Sequence, residues 1–313
     1  MRNGDDVLVL GAGVIGLTTA VCLAEAGARI RLWAADLPPA TTSVAAGALW
    51  GPDFTEPGFG WSLVTRDELT ALASEPSSGV RLCRGREVSD LSAELPPWVD
   101  ELPELRVCEP DELPEGMLVG LWTTVPVVNM PVYLDYLTRR LADAGVEIER
   151  RRVATLAEAA ARAPVVVNCT GVGAVELAGD TDLHPVRGQH VVVENPGIDE
   201  FYIAAGLAPQ WAGYIPHGDH VVLGGVAIPH DWSLEPDPAI AEGIVARCAA
   251  IEPRLAGARV IEHRVGLRPQ RTRPRLDEEP VDGARCVHNY GHGGMGVSLS
   301  WGCARAVRNL LAG

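Results

Sequence analysis

The stretch Val7-Leu8-Val9-Leu10-Gly11-Ala12-Gly13-Val14-Ile15-Gly16 decides how the chain is read. Four successive apolar residues make a short buried strand. Gly11, Gly13 and Gly16 then allow a tight turn, close approach of backbone to a pyrophosphate, and close packing of the next helix on the sheet. That helix reads on to residue 26, and its free N–H groups and dipole would face a diphosphate. Gly11, Ala12, Gly13, Val14, Ile15 and Gly16 are therefore candidate dinucleotide-binding residues. The uncharged run from 7 to 24 also has the length of a spanning helix or a secretory signal. Asp5 and Asp6 stand where a signal would be basic, and the three glycines interrupt the run, so neither is expected.

A chain of 313 residues can bury a large core, with about two domains as the length prior. The net charge of −15 repels phosphodiesters and anionic lipid, so nucleic-acid and membrane partners are not expected. Every basic residue other than histidine is arginine. Without lysine there is no Schiff base to pyridoxal phosphate and no Walker-type phosphate loop. The 7 cysteines are scattered, odd in number and lack a C-x-x-C pair. They read as reduced core thiols of a cytoplasmic protein with no metal site.

Working outward from the first helix, residues 28–33 make the second strand of a β-α-β unit. A ribose-binding acid is expected near its end, where Asp36 is the candidate, or else a turn aspartate before Pro38. Thr41, Thr42, Ala45, Ala46 and Gly47 offer small side chains against a cofactor. Residues 52–126 are rich in proline and acid, with one helix near 61–73 and connecting turns at 93–98 and 101–105. A helix over 131–144 and a strand over 146–151 follow, then a short helix past Val153. The run at 164–171 is a buried strand ending in Thr170 and Gly171, at the carboxyl edge where such sheets bind ligands. Short β runs at 186–193, 201–205, 211–215 and 220–226 then read as an antiparallel sheet. A helix over 238–251 follows. A strand over 259–266 delivers Arg268, Arg271, Arg273 and Arg275 to a domain junction. Finally a glycine-rich loop over 288–296 opens a closing helix over 297–311, a second anion-seeking helix start.

The set Gly11-Ala-Gly-Val-Ile-Gly16, Val44-Ala-Ala-Gly47, Val167-Asn-Cys-Thr-Gly171, Arg187-Gly-Gln189, Gly224-Gly225, Gly266-Leu-Arg-Pro-Gln-Arg271 and His288-Asn-Tyr-Gly-His-Gly-Gly294 resembles the D-amino-acid oxidase family of flavoproteins, over nearly the whole chain. The resemblance implies FAD, an α/β fold with a Rossmann-like FAD-binding domain, and a second α+β substrate domain containing a mainly antiparallel sheet. Residues 1–52, 131–183 and 258–313 would form the first, and 53–130 and 184–257 the second. The implied reaction is oxidative deamination of a D-amino acid, by hydride transfer from Cα to flavin N5. It yields a 2-oxo acid, ammonia and, from molecular oxygen, hydrogen peroxide. No residue is needed as acid or base. Arg271 matches the family's carboxylate clamp, against an ion pair with the acids at 277–279 as the structural alternative. Val153, Arg268, Gly293, Gly294, Met295, Gly296, Val297 and Ser298 are placed on the flavin, Gly294 on the substrate as well.

The family's substrate-contacting tyrosine maps to Tyr214, in a motif one residue short. Either the register turns Tyr214 to the other face or a bulge keeps it on the substrate. The family's second tyrosine, on a lid near 209–212, has no counterpart, and Trp211 is expected to fill its space. Val226-Ala227-Ile228 after the glycine pair favours neutral substrates over D-aspartate, unless His217 or His230 points inward. A homodimer is compatible with the sequence. Competing readings are a glycine, sarcosine or other secondary-amine oxidase, a dehydrogenase using an acceptor other than oxygen, a flavin-binding sensor without turnover, and a nicotinamide dehydrogenase.

Overall fold

The computed structural model describes residues 6–92, 94, 95, 99, 105–205 and 210–313. The turns expected at 93–98 and 101–105 lie largely outside these, as does residue 209 of the expected lid position. The strands are β1 (Asp6–Leu10), β2 (Arg29–Ala34), β3 (Val80–Ser89), β4 (Arg106–Val107), β5 (Val119–Val128), β6 (Ile148–Arg150), β7 (Val165–Asn168), β8 (His184–Glu194), β9 (Phe201–Ala205), β10 (Gln210–Pro216), β11 (His220–Val226), β12 (Ile228–Pro229), β13 (Val260–Val281) and β14 (Ala284–His292). The helices are α1 (Val14–Glu25), α2 (Gly58–Leu72), α3 (Met130–Asp143), α4 (Leu156–Ala160), α5 (Ala174–Leu177), α6 (Pro238–Ile251) and α7 (Gly296–Ala312).

The described strands form one sheet in the order β4-β5-β3-β9-β10-β11-β8-β13-β14-β7-β1-β2-β6, with β12 added on β8. At one end β14, β7, β1, β2 and β6 run parallel. Beyond Asp6, β1 is apolar because both faces are covered. Val7 and Val9 join the core with residues of α1, α3 and α7, while Leu8 and Leu10 pack with Ala159 of α4. The expected parallel β-α-β unit is thus present. The middle of the sheet is antiparallel, through β13, β8, β11, β10 and β9. One face of this region is closed by α6, which buries Ile244 and Cys248 against Val191, Val193 and Leu223. The other face looks toward the parallel end, and the site lies between them.

Helix starts follow the local chemistry. Pro238 occupies the first turn of α6, and the Asp237 carboxylate accepts the N–H groups of Ala239 at 2.8 Å and Ile240 at 3.2 Å. Neither α1 nor α7 is capped by the side chain of its own N-cap residue or carries an acid in its first turn, which leaves N–H groups at both starts for an anion. One strand departs from expectation. The arginines at 268–275 do not follow a strand ending at 266 but lie within the 22-residue β13. A register irregularity between 270 and 275 lets this strand leave β8 and continue along β14. Among the described residues no helix is long and apolar enough to cross a membrane.

Candidate active site

A cavity of about 520 Å³ opens between the carboxyl ends of the parallel strands and the uncovered face of β8 and β13. Its floor is the opening loop. Gly11 has φ +103°, and a Cβ there would lie 2.5 Å from the Cys169 carbonyl oxygen, so only glycine fits the turn. Gly11, Ala12, Gly13, Val14 and Ile15 line the cavity, and the Val14 N–H donates to Ser43 Oγ at 2.9 Å. Gly16 does not line it. A Cβ at Gly16 would fall 1.9 Å from the Gly11 carbonyl oxygen, so its part is to let α1 pack on its own entry turn.

Asp36 stands exposed at the rim, beyond Trp33, which carries the Arg151 guanidinium 3.9 Å over its ring. Thr41, Thr42, Ala45, Ala46 and Val153 are in the wall, as are Thr170 and Gly171. Asn168 sets that last turn, its Oδ1 accepting the Thr170 N–H at 3.2 Å and hydroxyl at 2.7 Å. The start of α7 closes the far side with Gly293, Gly294, Gly296 and Val297. Gly47, Met295 and Ser298 lie outside the wall. Ser298 is turned inward, where its hydroxyl accepts the Gly51 N–H at 3.1 Å, so its role is to tie a loop to α7. A Cβ on Gly47 would meet Ile215 and Val222, which marks it as a packing position.

Two substrate assignments are corrected. Arg271 is outside the cavity, with Nε 2.9 Å from Asp180 Oδ2, Nη2 3.6 Å from Asp182, and Nη1 donating to the Arg273 carbonyl. It is an ion-paired residue, though not with the acids at 277–279. Arg268 lies in the wall instead. The two are three residues apart on one strand, and side chains that alternate across a sheet place such a pair on opposite faces. Tyr214 is the second correction. It pairs with Leu223 and Tyr202, stacks on the Tyr202 ring at 5.6 Å, and packs on the α6 side of the sheet. Burial pushes its phenol up to about 12. The motif's missing residue has turned the side chain away from the cavity. Trp211, expected to fill the place of the second tyrosine, lies so closely over Gly213, Gly224 and Gly225 that a Cβ on Gly224 would be 2.0 Å from its ring, and it does not line the cavity.

The Arg187-Gly-Gln189 motif explains the placing of Arg268. Arg187 is only 2% exposed; its guanidinium donates to the carbonyls of Ser233 and Glu235, while the Gln189 amide exchanges hydrogen bonds with the backbone of Asp237. These two residues fasten the loop that starts α6. Gly188, between them, faces the opposite way, and a Cβ there would sit 2.4 Å from Arg268 Nη1. The missing side chain is the room the guanidinium occupies. From there Nη1 donates to the Val226 carbonyl at 2.9 Å, and no Asp or Glu among the described residues pairs with the group. Gly188→Ala is therefore expected to leave the melting temperature within about 2 °C, because the clash falls on the end of a flexible side chain. It should raise KM at least about tenfold by displacing the cation. Thermal melts beside steady-state kinetics check this, and an unchanged KM would show that Arg268 does not hold the substrate from this position.

Gly188, His190 and Asn289 are wall residues that sequence reasoning did not single out, and His292, expected to help hold the glycine-rich loop, lines the wall with them. For the first two the signal was present: in β8 they alternate with Arg187 and Gln189. His190 Nε2, Asn289 Oδ1 and His292 Nε2 are buried without a hydrogen-bond partner. Burial, joined at His190 by the Arg268 charge, pushes both histidines down to about 4.

Two uncapped helix starts, a loop that only glycine can make and three orphaned polar atoms around one cavity fit a dinucleotide. A family model described as FAD dependent oxidoreductase matches residues 6–310. The chain belongs to the FAD-dependent oxidoreductase family. Within the FAD-dependent oxidoreductases it is 47% identical to the D-amino-acid oxidase of Streptomyces coelicolor, over 99% of this chain and 97% of that one. It is 36% identical to the D-aspartate oxidase of Homo sapiens, over 98% and 94%. Glycine oxidase from Geobacillus kaustophilus superposes with a TM-score of 0.83 at 19% identity, covering 99% of this chain and 95% of that one, a likeness of fold alone. For an FAD-dependent oxidoreductase the loop at 11–15 and the turn at 170–171 would hold the diphosphate end, and the start of α7 the flavin end.

Proposed function

We propose that this protein is a D-amino-acid oxidase acting on neutral D-amino acids. Arg268 is the single observation that carries the reading. It is a recessed, permanently charged fork facing a cavity, with no Asp or Glu among the described residues paired with it, so it calls for an anionic ligand. A substrate carboxylate would accept two parallel hydrogen bonds from it, which fixes direction as well as position. Bound FAD supplies the acceptor for the hydride leaving Cα and passes the electrons to molecular oxygen. Amino acid, oxygen and water then become 2-oxo acid, ammonia and hydrogen peroxide. Both cavity histidines are neutral at physiological pH, and the reading asks no side chain to move a proton.

Relatives at 47% identity carrying the name D-amino-acid oxidase support the choice of enantiomer, which the cavity alone does not decide. Neutral side chains are supported by Val226-Ala227-Ile228 after the glycine pair, and by the positions of the two histidines weighed as a source of charge. His217 contacts the Gly47 carbonyl and His230 stacks on His184, and neither lines the cavity. On this reading 1–52, 131–183 and 258–313 serve chiefly FAD, and 53–130 and 184–257 the substrate. The seven cysteines, all buried and unpaired, support a reducing compartment.

Peroxide release from the purified yellow protein, with paired D- and L-amino acids, glycine, sarcosine and D-aspartate, tests the proposal. Turnover of neutral D-enantiomers at least about 100-fold above the others is expected. Reaction with only glycine or sarcosine would replace the reading by a secondary-amine oxidase. Flavin bleached anaerobically by a D-amino acid with no peroxide in air would make the protein a dehydrogenase.

A further inference from the structure

His190 sits on β8 two residues past Gly188, and the alternation of the strand turns both to the cavity. About 7 Å of strand separates their Cα atoms, so the imidazole stands beside the Arg268 guanidinium rather than under it. Its Nδ1 is 2.8 Å from the Ala45 carbonyl oxygen, which can only accept, so the ring proton lies on Nδ1. Nε2 then carries a lone pair, and it is buried without a partner. The ring is held by Trp211 edge-on at 5.9 Å and by the close backbone of Gly225. Asn289 and His292, the other orphaned groups of the wall, lie on β14 ahead of α7, whereas His190 stands on β8, with β13 between the two strands.

We propose that His190 Nε2 accepts a hydrogen bond from the substrate's α-amino group, which makes His190 a substrate-binding residue working beside Arg268. The inference rests on the D-amino-acid reading above. An amino acid held at its carboxylate by Arg268 presents an amine a few ångströms away, and an arginine has no acceptor to offer it. A lone pair on an imidazole locked in one tautomer accepts an N–H from the amine in either of its protonation states. Two points thereby fix the substrate, and the Cα–H direction follows from them.

The test uses holoenzyme and two probes that differ by one amine, benzoate and 2-aminobenzoate, with binding read by calorimetry. In His190→Phe, which puts a C–H where the lone pair was, the ratio of the two Kd values should move about tenfold against 2-aminobenzoate, with benzoate itself little changed. KM for D-alanine should rise by a similar factor. His190→Gln, whose amide oxygen reaches about as far as Nε2, should keep the wild-type ratio within about threefold. If the Phe variant does not fold, His190→Leu reads the same ratio. A ratio unchanged in the apolar variant overturns the inference, as does a loss of FAD affinity with the ratio unchanged, which would assign Nε2 to the cofactor. Wild-type enzyme that binds neither acid and oxidises no D-amino acid overturns the underlying reading; D-alanine oxidase activity with an unmoved ratio overturns this inference alone.

Discussion

Arg268→Ala is expected to lower kcat/KM for D-alanine by at least about 100-fold while the protein still purifies with FAD. The side chain removed is a recessed cavity cation with no Asp or Glu among the described residues paired with it, and a charge-assisted bidentate pair with a desolvated carboxylate is worth roughly 3 kcal/mol or more. Arg268→Lys should recover little, because an ammonium lacks the planar fork and cannot both reach the Val226 carbonyl and present two parallel donors. Arg271→Ala is the necessary contrast. It removes the partner of Asp180, which is 8% exposed and also accepts the Tyr290 hydroxyl at 2.7 Å. About 1–3 kcal/mol of stability should go with it, since a buried carboxylate loses a cation. Turnover of the folded fraction should stay within a few-fold. Kinetics beside thermal melts of the three variants decide the matter. Activity lost in Arg271→Ala and kept in Arg268→Ala would return the clamp to Arg271.

The second large effect is expected at the opening loop. In Gly16→Ala the new Cβ would stand 1.9 Å from the Gly11 carbonyl oxygen, and both atoms belong to the backbone geometry of the turn. Neither can swing aside as an arginine tip can. Either α1 lifts from the sheet or the turn opens, and in both cases the N–H groups that face the diphosphate leave their places. The variant should purify without flavin and be destabilised by about 3 kcal/mol or more. Absorbance near 450 nm after gel filtration and a melt of the apoprotein read the two effects separately. A yellow protein with the wild-type melting temperature would mean that the helix does not pack on its entry turn as described.

Much of the site was legible because its signals are local in sequence. The glycines at 11, 13 and 16, the turn at 170 and 171 and the loop at 293–296 are each set by backbone needs that a few neighbouring residues declare. All three segments meet around the cavity except at Gly16, whose role is packing, and at Met295. The misplaced residues share a different cause. Arg271, Tyr214 and Ser298 were assigned from motif position, which does not fix the direction a side chain faces. On β13 the difference between clamp and ion pair is the parity of 268 and 271. On β10 one missing residue exchanges Tyr214 for Gly213 on the inner face, and Trp211 folds over the gap. In the first turn of α7 Val297 faces the cavity and Ser298 faces Gly51.

The sequence by itself determined a parallel β-α-β unit with an open helix start for a diphosphate, a second antiparallel region, and a supply of arginines beside a glycine-rich loop. Periodicity and glycine spacing carry that information within some 20 residues. Only the tertiary structure decided which arginine faces the cavity, that Gly188 makes room for it, and that His190 stands beside it with an unpaired nitrogen. Those facts depend on the register between β8 and β13, strands separated by more than 60 residues of chain. A shift of one residue there would change every face without changing the composition of either strand.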